Sequence, residues 1–175
     1  MPGYLAPFPH GDKYFQRLVD DIKAPKYSYP PCLMHGDFNY GNIVLKTSSH
    51  SNAEIRPYVI DWEFATSQGR GVNGDIPEFL SLLHCRLISA RRQQPSLGNL
   101  LRHLCNGFCS AYRAKAHLNC TMEPDDWGTR LYRSTLLLSG RDIINFANYA
   151  CGDDATFDEM VKVGLWYLEH AGDDM

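Results

Sequence analysis

Apolar side chains recur at the helical period through most of the chain after residue 75, and this pattern limits the fold more than any other feature. Four stretches show it, near residues 76–92, 97–118, 126–150 and 155–171. Residues three and four positions apart share one face of a helix, so each stretch predicts a helix with one buried face. The predicted inward residues are Phe79, Leu80, Leu83 and Leu87, then Leu100, Leu101, Leu104, Phe108 and Tyr112, then Leu131, Leu136, Leu137, Ile143, Ile144 and Phe146, and finally Phe157, Val161, Leu165 and Leu168.

A shorter helix is predicted near the start of the chain. We expect it to begin at Asp12. Its apolar stripe consists of Tyr14, Phe15, Leu18, Val19 and Ile22. We expect this helix to pack beside the polar loop described below.

Strand-like sequence is confined to residues 30–61. The Pro-Pro pair at positions 30–31 stops any helix and favours extended backbone. The apolar run 43–45 is followed by a polar, turn-forming segment at 47–52, and the chain returns through the β-branched and aromatic run 58–60. This pattern predicts a β-hairpin. Short strands followed by a series of helices indicate an α+β fold that is predominantly α-helical.

Polar side chains suited to catalysis or metal binding are concentrated in residues 35–42, His-Gly-Asp-Phe-Asn-Tyr-Gly-Asn, which we name the polar loop. A hairpin that returns after this loop would bring Asp37, Asn42 and Asp61 close together. Two carboxylates and an amide oxygen are hard-oxygen ligands that suit Mg²⁺. Taken singly, Asp37 is typical of a turn and Asp61 of a strand end. Their combined order and spacing favour a metal site.

These motifs resemble those of the aminoglycoside and choline phosphotransferase family, whose fold is similar to that of protein kinases. The resemblance is carried by His-Gly-Asp, an Asn five positions after the Asp, and the strand end Ile-Asp-Trp-Glu at 60–63. Protein kinases have His-Arg-Asp with Asn at the same offset, and their metal-binding Asp begins Asp-Phe-Gly. The match covers residues 30–85 well and the later helices only by type. It implies the C-terminal lobe of a protein-kinase-like fold, in which the short β-hairpin carries the catalytic and metal-binding loops.

The resemblance implies a role for each residue of the core motif. Asp37 would be the catalytic base that accepts the proton of a substrate hydroxyl, with His35 beside it in the catalytic loop. Asn42 would bind Mg²⁺, and Asp61 would bridge the metal to the phosphates of ATP, the phosphoryl donor.

Three further residues would support this site. Gly36, like His35, would shape the loop, and Glu63 would be a secondary support. Asp75 resembles the family's aspartate that caps the following helix and braces the catalytic loop, and a carboxylate is a favourable N-cap on physical grounds as well.

A kinase-like fold would place its nucleotide-binding lobe before the catalytic loop. That lobe supplies a glycine-rich loop over the phosphates and a strand lysine paired with a helix glutamate. Here 36 residues precede Asp37, and their lysines, Lys13, Lys23 and Lys26, lie in no convincing strand. We therefore expect a catalytic lobe without its N-terminal lobe.

Two functional classes stay open. The first is an enzyme, the catalytic lobe of an ATP-dependent kinase that acts on a hydroxyl of a small molecule, either within a longer protein or with a separate small lobe. The second is a non-catalytic module that binds a ligand or a protein, or associates with itself, through the exposed inter-lobe face. A metal-dependent phosphoesterase is less favoured, because two-metal sites would draw on further grouped ligands. The histidines His50, His84, His103 and His117 form no such group.

Composition limits the partners and the compartment. The chain has 175 residues, 44% of them hydrophobic, which fits a single domain spanning 1–175. Its net charge is −3, and the basic residues between 79 and 122 are spread over two helices, so no nucleic-acid interface is predicted. No apolar run approaches the roughly 18–20 residues that cross a bilayer. The six cysteines contain no Cys-x-x-Cys pair and indicate reduced thiols, so we expect a cytoplasmic protein.

Overall fold

The computed structural model describes residues 8–23, 31–47, 55–68, 74–118, 124–150 and 153–171. Within these residues the chain forms five α-helices and one two-stranded antiparallel sheet. The fold is therefore α+β and mostly helical, as the sequence predicts. The elements, in chain order, are α1 (Gly11–Lys23), β1 (Ile43–Thr47), β2 (Ile55–Val59), α2 (Ile76–Gln93), α3 (Pro95–Leu118), α4 (Pro124–Ala150) and α5 (Asp154–His170).

The apolar periodicity located the four large helices to within two residues at each end. Helices α2, α4 and α5 surround the larger of two hydrophobic clusters. Burial of these side chains is the main favourable contribution to folding. The buried members of this cluster include Ile88, Leu137, Ile143, Val161 and Leu168. The side chains of Ile22 and Leu131, also predicted to face inward, lie outside the described part of the structure.

Helix α1 packs against α5 and the larger cluster. Its residues Tyr14, Phe15 and Leu18 contact this cluster, and Nη1 of Arg17 donates a 2.8 Å hydrogen bond to the carbonyl of Leu168. The polar loop packs on the other cluster, so the expected packing of α1 beside that loop is not what the structure shows. An apolar stripe indicates that a face is buried, but it does not indicate which neighbour covers it.

The smaller cluster joins α2 to α3 and anchors the polar loop. Phe38, which follows Asp37, inserts into it with its ring centroid 5.0 Å from that of Phe79. Phe79 in turn lies 4.7 Å from Phe108 of α3. An apolar residue within the polar loop therefore fixes that loop to the helical core.

The buried face of α3 differs from the predicted one. Leu101 is buried, whereas Leu100 is 64% exposed and Leu104 is 48% exposed. Leu97, Leu101, Cys105 and Phe108 form the face that packs towards α2. Because residues 100 and 101 are both leucine, the period alone could not decide between two neighbouring faces.

Strands β1 and β2 form the predicted hairpin, with Ile43 opposite Val59. The amide of Ile60 donates a 3.0 Å hydrogen bond to the carbonyl of Asn42, which continues the pairing beyond β1 and β2. The connection at 48–54 lies outside the described residues. Most side chains of both strands are exposed, so the hairpin contributes little to the core.

Helices α4 and α5 approach closely at two glycines, which gives a stability prediction. A Cβ at Gly164 would lie 2.5 Å from Cγ1 of Ile144 and 3.0 Å from the carbonyl oxygen of Gly140. Gly164→Ala should therefore push the two helices apart and lower the free energy of unfolding by about 1–3 kcal/mol. Urea denaturation measures this change.

The matched control is Gly107→Ala in α3, where nothing lies within 4 Å of the added Cβ. Alanine is the better helix former, so this substitution should stabilise the protein by up to about 1 kcal/mol. Equal effects of the two substitutions would contradict the close packing of α4 on α5.

Within the described part of the chain, no helix is both long enough and apolar enough to cross a membrane. No disulfide involves Cys32, Cys85, Cys105 or Cys109 within the described residues, and the sequence predicts reduced cysteines. Cys120 and Cys151, which belong to the same prediction, lie outside the described residues.

Candidate functional site

The polar loop is held at both ends by backbone pairing. Met34, just before the loop, forms an antiparallel bridge with Thr66, in which the Met34 amide donates to the Thr66 carbonyl at 2.8 Å and the Thr66 amide donates back at 3.1 Å. At the other end, the Asn42 carbonyl accepts from Ile60. Both contacts join the polar loop to the segment that contains Asp61. The two predicted parts of the site are therefore neighbours.

Asp75 holds the start of the polar loop through its carboxylate. One oxygen accepts a 2.7 Å hydrogen bond from the His35 amide, and the other accepts a 2.9 Å bond from the Gly36 amide. The bracing contact implied by the resemblance is present. The capping part of that expectation is corrected, because the Asp75 side chain makes no capping hydrogen bond to α2. Both oxygens of its carboxylate accept hydrogen bonds from the polar loop instead.

Gly36 is required by its conformation and by its surroundings. Its φ is 85°, in the region that favours glycine. A Cβ at this position would lie 2.4 Å from the carbonyl oxygen of Phe64. Any side chain here would separate the loop from the segment after Asp61.

The Asp37 carboxylate is the centre of a hydrogen-bond network within the loop. Its Oδ1 accepts from Nδ2 of Asn39 at 2.9 Å, and its Oδ2 accepts from Nδ2 of Asn42 at 3.0 Å. The Asn42 amide nitrogen also donates to the Asp37 carbonyl at 2.9 Å. Asn42 therefore turns its nitrogen towards Asp37, and its oxygen is the atom directed elsewhere. Asp37 and Asn42, two of the three residues predicted to meet at the site, are therefore in direct contact.

Asn39 was missed in the sequence analysis. Besides its contact with Asp37, its Oδ1 accepts a 2.8 Å hydrogen bond from the Gly41 amide and caps the short 3₁₀ turn Tyr40–Asn42. An asparagine side chain that bonds to the backbone two residues later is a known turn signal. That signal could have identified Asn39 as the residue that orients Asp37.

His35 supports the site from a buried position. It is 2% exposed, and its Nε2 lies 2.8 Å from the Ile60 carbonyl, which can only accept, so Nε2 carries the hydrogen. Its Nδ1 then accepts from the Asp37 amide at 3.3 Å. The imidazole also lies 4.7 Å from the Trp62 ring. With both nitrogens engaged, His35 positions Asp37 and would not itself contact a substrate.

Asp61 lies directly after β2 with an unusual backbone conformation. Its φ is 67° and its ψ is 56°, in the left-handed region that few residues other than glycine occupy. Aspartate tolerates this conformation better than most residues. The neighbouring Ile60 bonds to both His35 and Asn42. The exposed Asp61 is therefore held at the edge of the polar loop.

Glu63 is exposed in the 3₁₀ turn Trp62–Phe64. Within the described part of the chain it makes no side-chain hydrogen bond with the polar loop. Nor do the described residues include a group of three His, Cys, Asp or Glu side chains that could hold a metal ion. The predicted metal ligands are the Asn42 amide oxygen and the Asp61 carboxylate, and they would leave coordination positions for phosphate or water.

Glu78 is a second residue missed by the sequence analysis. It lies in the first turn of α2, three positions after Asp75, and close enough to Asp37 for the two carboxylates to interact. Burial, and to a smaller extent three neighbouring carboxylates, raise its pKa to about 7; these are Asp142, Asp37 and Asp75. The Arg141 guanidinium opposes this shift and donates a 2.7 Å hydrogen bond to Asp142. The i, i+3 spacing from Asp75 is the signal that could have identified Glu78.

The raised pKa predicts how stability depends on pH. Because the folded state holds the Glu78 proton more tightly than the unfolded state, the contribution of this residue to stability should fall as pH rises from 4.5 to about 7 and stay level above that. Glu78→Gln removes this penalty and should stabilise the protein at pH 8 by about 1–2 kcal/mol, less than the full shift would give because water screens the half-buried carboxyl group; the effect should be much smaller near pH 4. Thermal denaturation at both pH values measures it. Glu169→Gln on α5, a control at an exposed site, should show no such difference.

Comparison with known protein families, with curated proteins and with solved structures finds no match to this chain.

Proposed function

We propose that the polar loop and the β2 end form the metal- and phosphate-binding part of an ATP-dependent phosphotransferase, the catalytic lobe of a small-molecule kinase with a protein-kinase-like fold. The observation that carries this proposal is the direct contact between Asp37 and Asn42 on a loop that is bonded to the residue before Asp61. The proposed activity is inferred from the resemblance of these motifs to those of the aminoglycoside and choline phosphotransferase family.

Each residue has a role that its contacts allow. Asp37, oriented by Asn39 and Asn42, would accept the proton of the acceptor hydroxyl. The hydroxyl oxygen would bond to the γ-phosphorus of ATP while the bond between that phosphorus and ADP breaks. The Asn42 amide oxygen and the Asp61 carboxylate are suitable donors for Mg²⁺, which would neutralise phosphate charge. His35 and Asp75 keep the loop in the geometry that this chemistry requires.

A non-catalytic binding module is the second candidate. The observation that favours it is the exposed apolar surface of the hairpin, where Val44, Leu45, Ile55 and Tyr58 are all accessible. Such a module would bind a ligand or a protein without metal-dependent nucleotide binding. Nucleotide binding therefore separates the two candidates.

Calorimetric titration of the 175-residue chain with ATP tests the proposal. In the resembling family the adenine lies between two lobes, so phosphate and metal contacts should dominate, with a Kd on the order of 0.1–1 mM in the presence of Mg²⁺. Without Mg²⁺ the affinity should fall at least tenfold.

Asp61→Asn should cause the same loss, because asparagine keeps the side-chain shape and tolerates the left-handed backbone while it removes the charge. Asp158→Asn on the exposed face of α5 is the matched control and should bind normally. Equal affinity with and without Mg²⁺, or no binding at millimolar ATP, would contradict the proposal and favour the binding module.

A further inference from the structure

The two outer edges of the hairpin differ in the backbone groups that they present. The hydrogen bond from Ile60 to Asn42 fixes the alternation of the antiparallel ladder. Hydrogen-bonded pairs recur at every second position along the ladder, so Val44 and Tyr58 bond to each other across the hairpin. The residues between these pairs direct their N–H and C=O groups outwards. Outward groups on β1 therefore belong to residues 43, 45 and 47, and those on β2 to residues 55, 57 and 59.

The β2 edge is protected against further strand pairing. Pro57, at the central outward position, has no N–H to donate, which is a common way to block an edge strand. The outward carbonyl of Val59 accepts a 3.0 Å hydrogen bond from Nε1 of Trp62. Two of the three outward positions on this edge are thus blocked or already bonded.

The β1 edge has no proline, and its one charged side chain is that of Lys46. No described residue forms a backbone hydrogen bond with the outward groups of Leu45 or Thr47. Leu45 is 60% exposed and Val44 is 45% exposed. An exposed apolar edge strand readily pairs with another strand, and a two-stranded sheet alone is marginally stable in water.

We propose that two copies of this chain associate through β1, pairing antiparallel about a twofold axis at Leu45 to form a four-stranded sheet. In this register Leu45 lies opposite Leu45 of the second copy, and Ile43 lies opposite Thr47 of the second copy. The outward N–H and C=O groups of the two strands then face each other in hydrogen-bonded pairs. This association is independent of nucleotide binding and does not rest on the proposed function.

The sequence of β1 is self-complementary in this register, which is why the occupant is a second copy. Lys46 is the one charged residue of β1. It lies opposite Val44 of the second copy, so that like charges are not directly opposed. The antiparallel arrangement also places the helical bodies at opposite ends of the sheet, because the base of each β1 meets the tip of the other. A twofold contact of this kind uses one patch on both copies.

Sedimentation velocity over a range from low micromolar to several hundred micromolar tests this dimer. Leu45→Pro removes an outward N–H and no hydrogen bond within the hairpin, and so copies onto β1 the protection that Pro57 gives to β2. We expect the dimer dissociation constant to rise at least tenfold. Ile55→Pro is the matched control, because Ile55 is also 60% exposed and faces outward on the protected edge; it should leave the dimer intact.

Leu45→Lys provides a second variant in case the proline disturbs folding, and it should weaken the dimer by placing two like charges at the axis. Amide hydrogen exchange gives a residue-level readout. The Leu45 and Thr47 amides should become protected as concentration rises, while Val44 is protected at every concentration. A monomer at all concentrations, or a dimer unaffected by both Leu45 substitutions, would overturn the proposal.

Discussion

Asp37→Asn is expected to reduce the proposed phosphoryl transfer by about 10²–10⁴-fold, the range that a general base contributes. Asparagine has nearly the same shape but cannot accept the proton of an attacking hydroxyl. Its single oxygen can still accept from Asn39 or from Asn42, so one of the two hydrogen bonds to the carboxylate is kept. ADP release from ATP, followed with a panel of hydroxyl-bearing acceptors, measures the effect. The loss should appear in kcat, with Mg²⁺-ATP affinity changed little.

Asp158→Asn is the control for the general effect of removing one carboxylate, and it should transfer phosphate at the wild-type rate. Circular dichroism should show that both variants remain folded. Transfer by Asp37→Asn at the wild-type rate would remove Asp37 from the role of base.

Asp75→Ala should lower the free energy of unfolding by about 3–5 kcal/mol, since it removes two hydrogen bonds to a charged acceptor. The His35 amide would be left in a buried position without that partner. The polar loop would lose its fixed start, so Mg²⁺-ATP binding should also be lost. Urea denaturation and calorimetry measure the two effects.

Asp153→Ala is the matched control for Asp75→Ala, because Asp153 also precedes a helix. Its carboxylate accepts from the amide and the hydroxyl of Thr156 and caps α5. Loss of a helix cap typically costs about 1 kcal/mol, and nucleotide binding should be unchanged. Equal losses of stability would mean that Asp75 acts as an ordinary cap.

These two aspartates show what the sequence could predict. Both precede an apolar periodic stretch, and the pattern located α2 and α5 correctly because helical burial depends on local spacing. The sequence could not show that Asp75 bonds to the polar loop, 39 and 40 positions earlier in the chain. That contact depends on how the loop packs against α2 through Phe38 and Phe79.

The hairpin beside the candidate site was predictable because its turn and strand signals are local in sequence. It places the loop that contains Asp37 and Asn42 next to the segment that contains Asp61. The buried position of His35 and the shifted pKa of Glu78 could not be predicted, because each depends on side chains from elements distant in the chain. For the same reason the prediction that α1 packs beside the polar loop was wrong. The buried face of α3 was mispredicted because the adjacent leucines at 100 and 101 left two neighbouring faces equally apolar.

Paramagnetic broadening by Mn²⁺ tests the central claim most directly, since Mn²⁺ accepts the same oxygen ligands as Mg²⁺. The amide resonances of an isotope-labelled chain would be followed with substoichiometric Mn²⁺, with and without ATP. We predict that Asn42 and Asp61 lose intensity first, that ATP strengthens this loss, and that Asp61→Asn abolishes it. Broadening confined to acidic residues of α5, such as Asp154 and Asp158, or broadening that ATP does not change, would contradict a nucleotide-metal site at the polar loop.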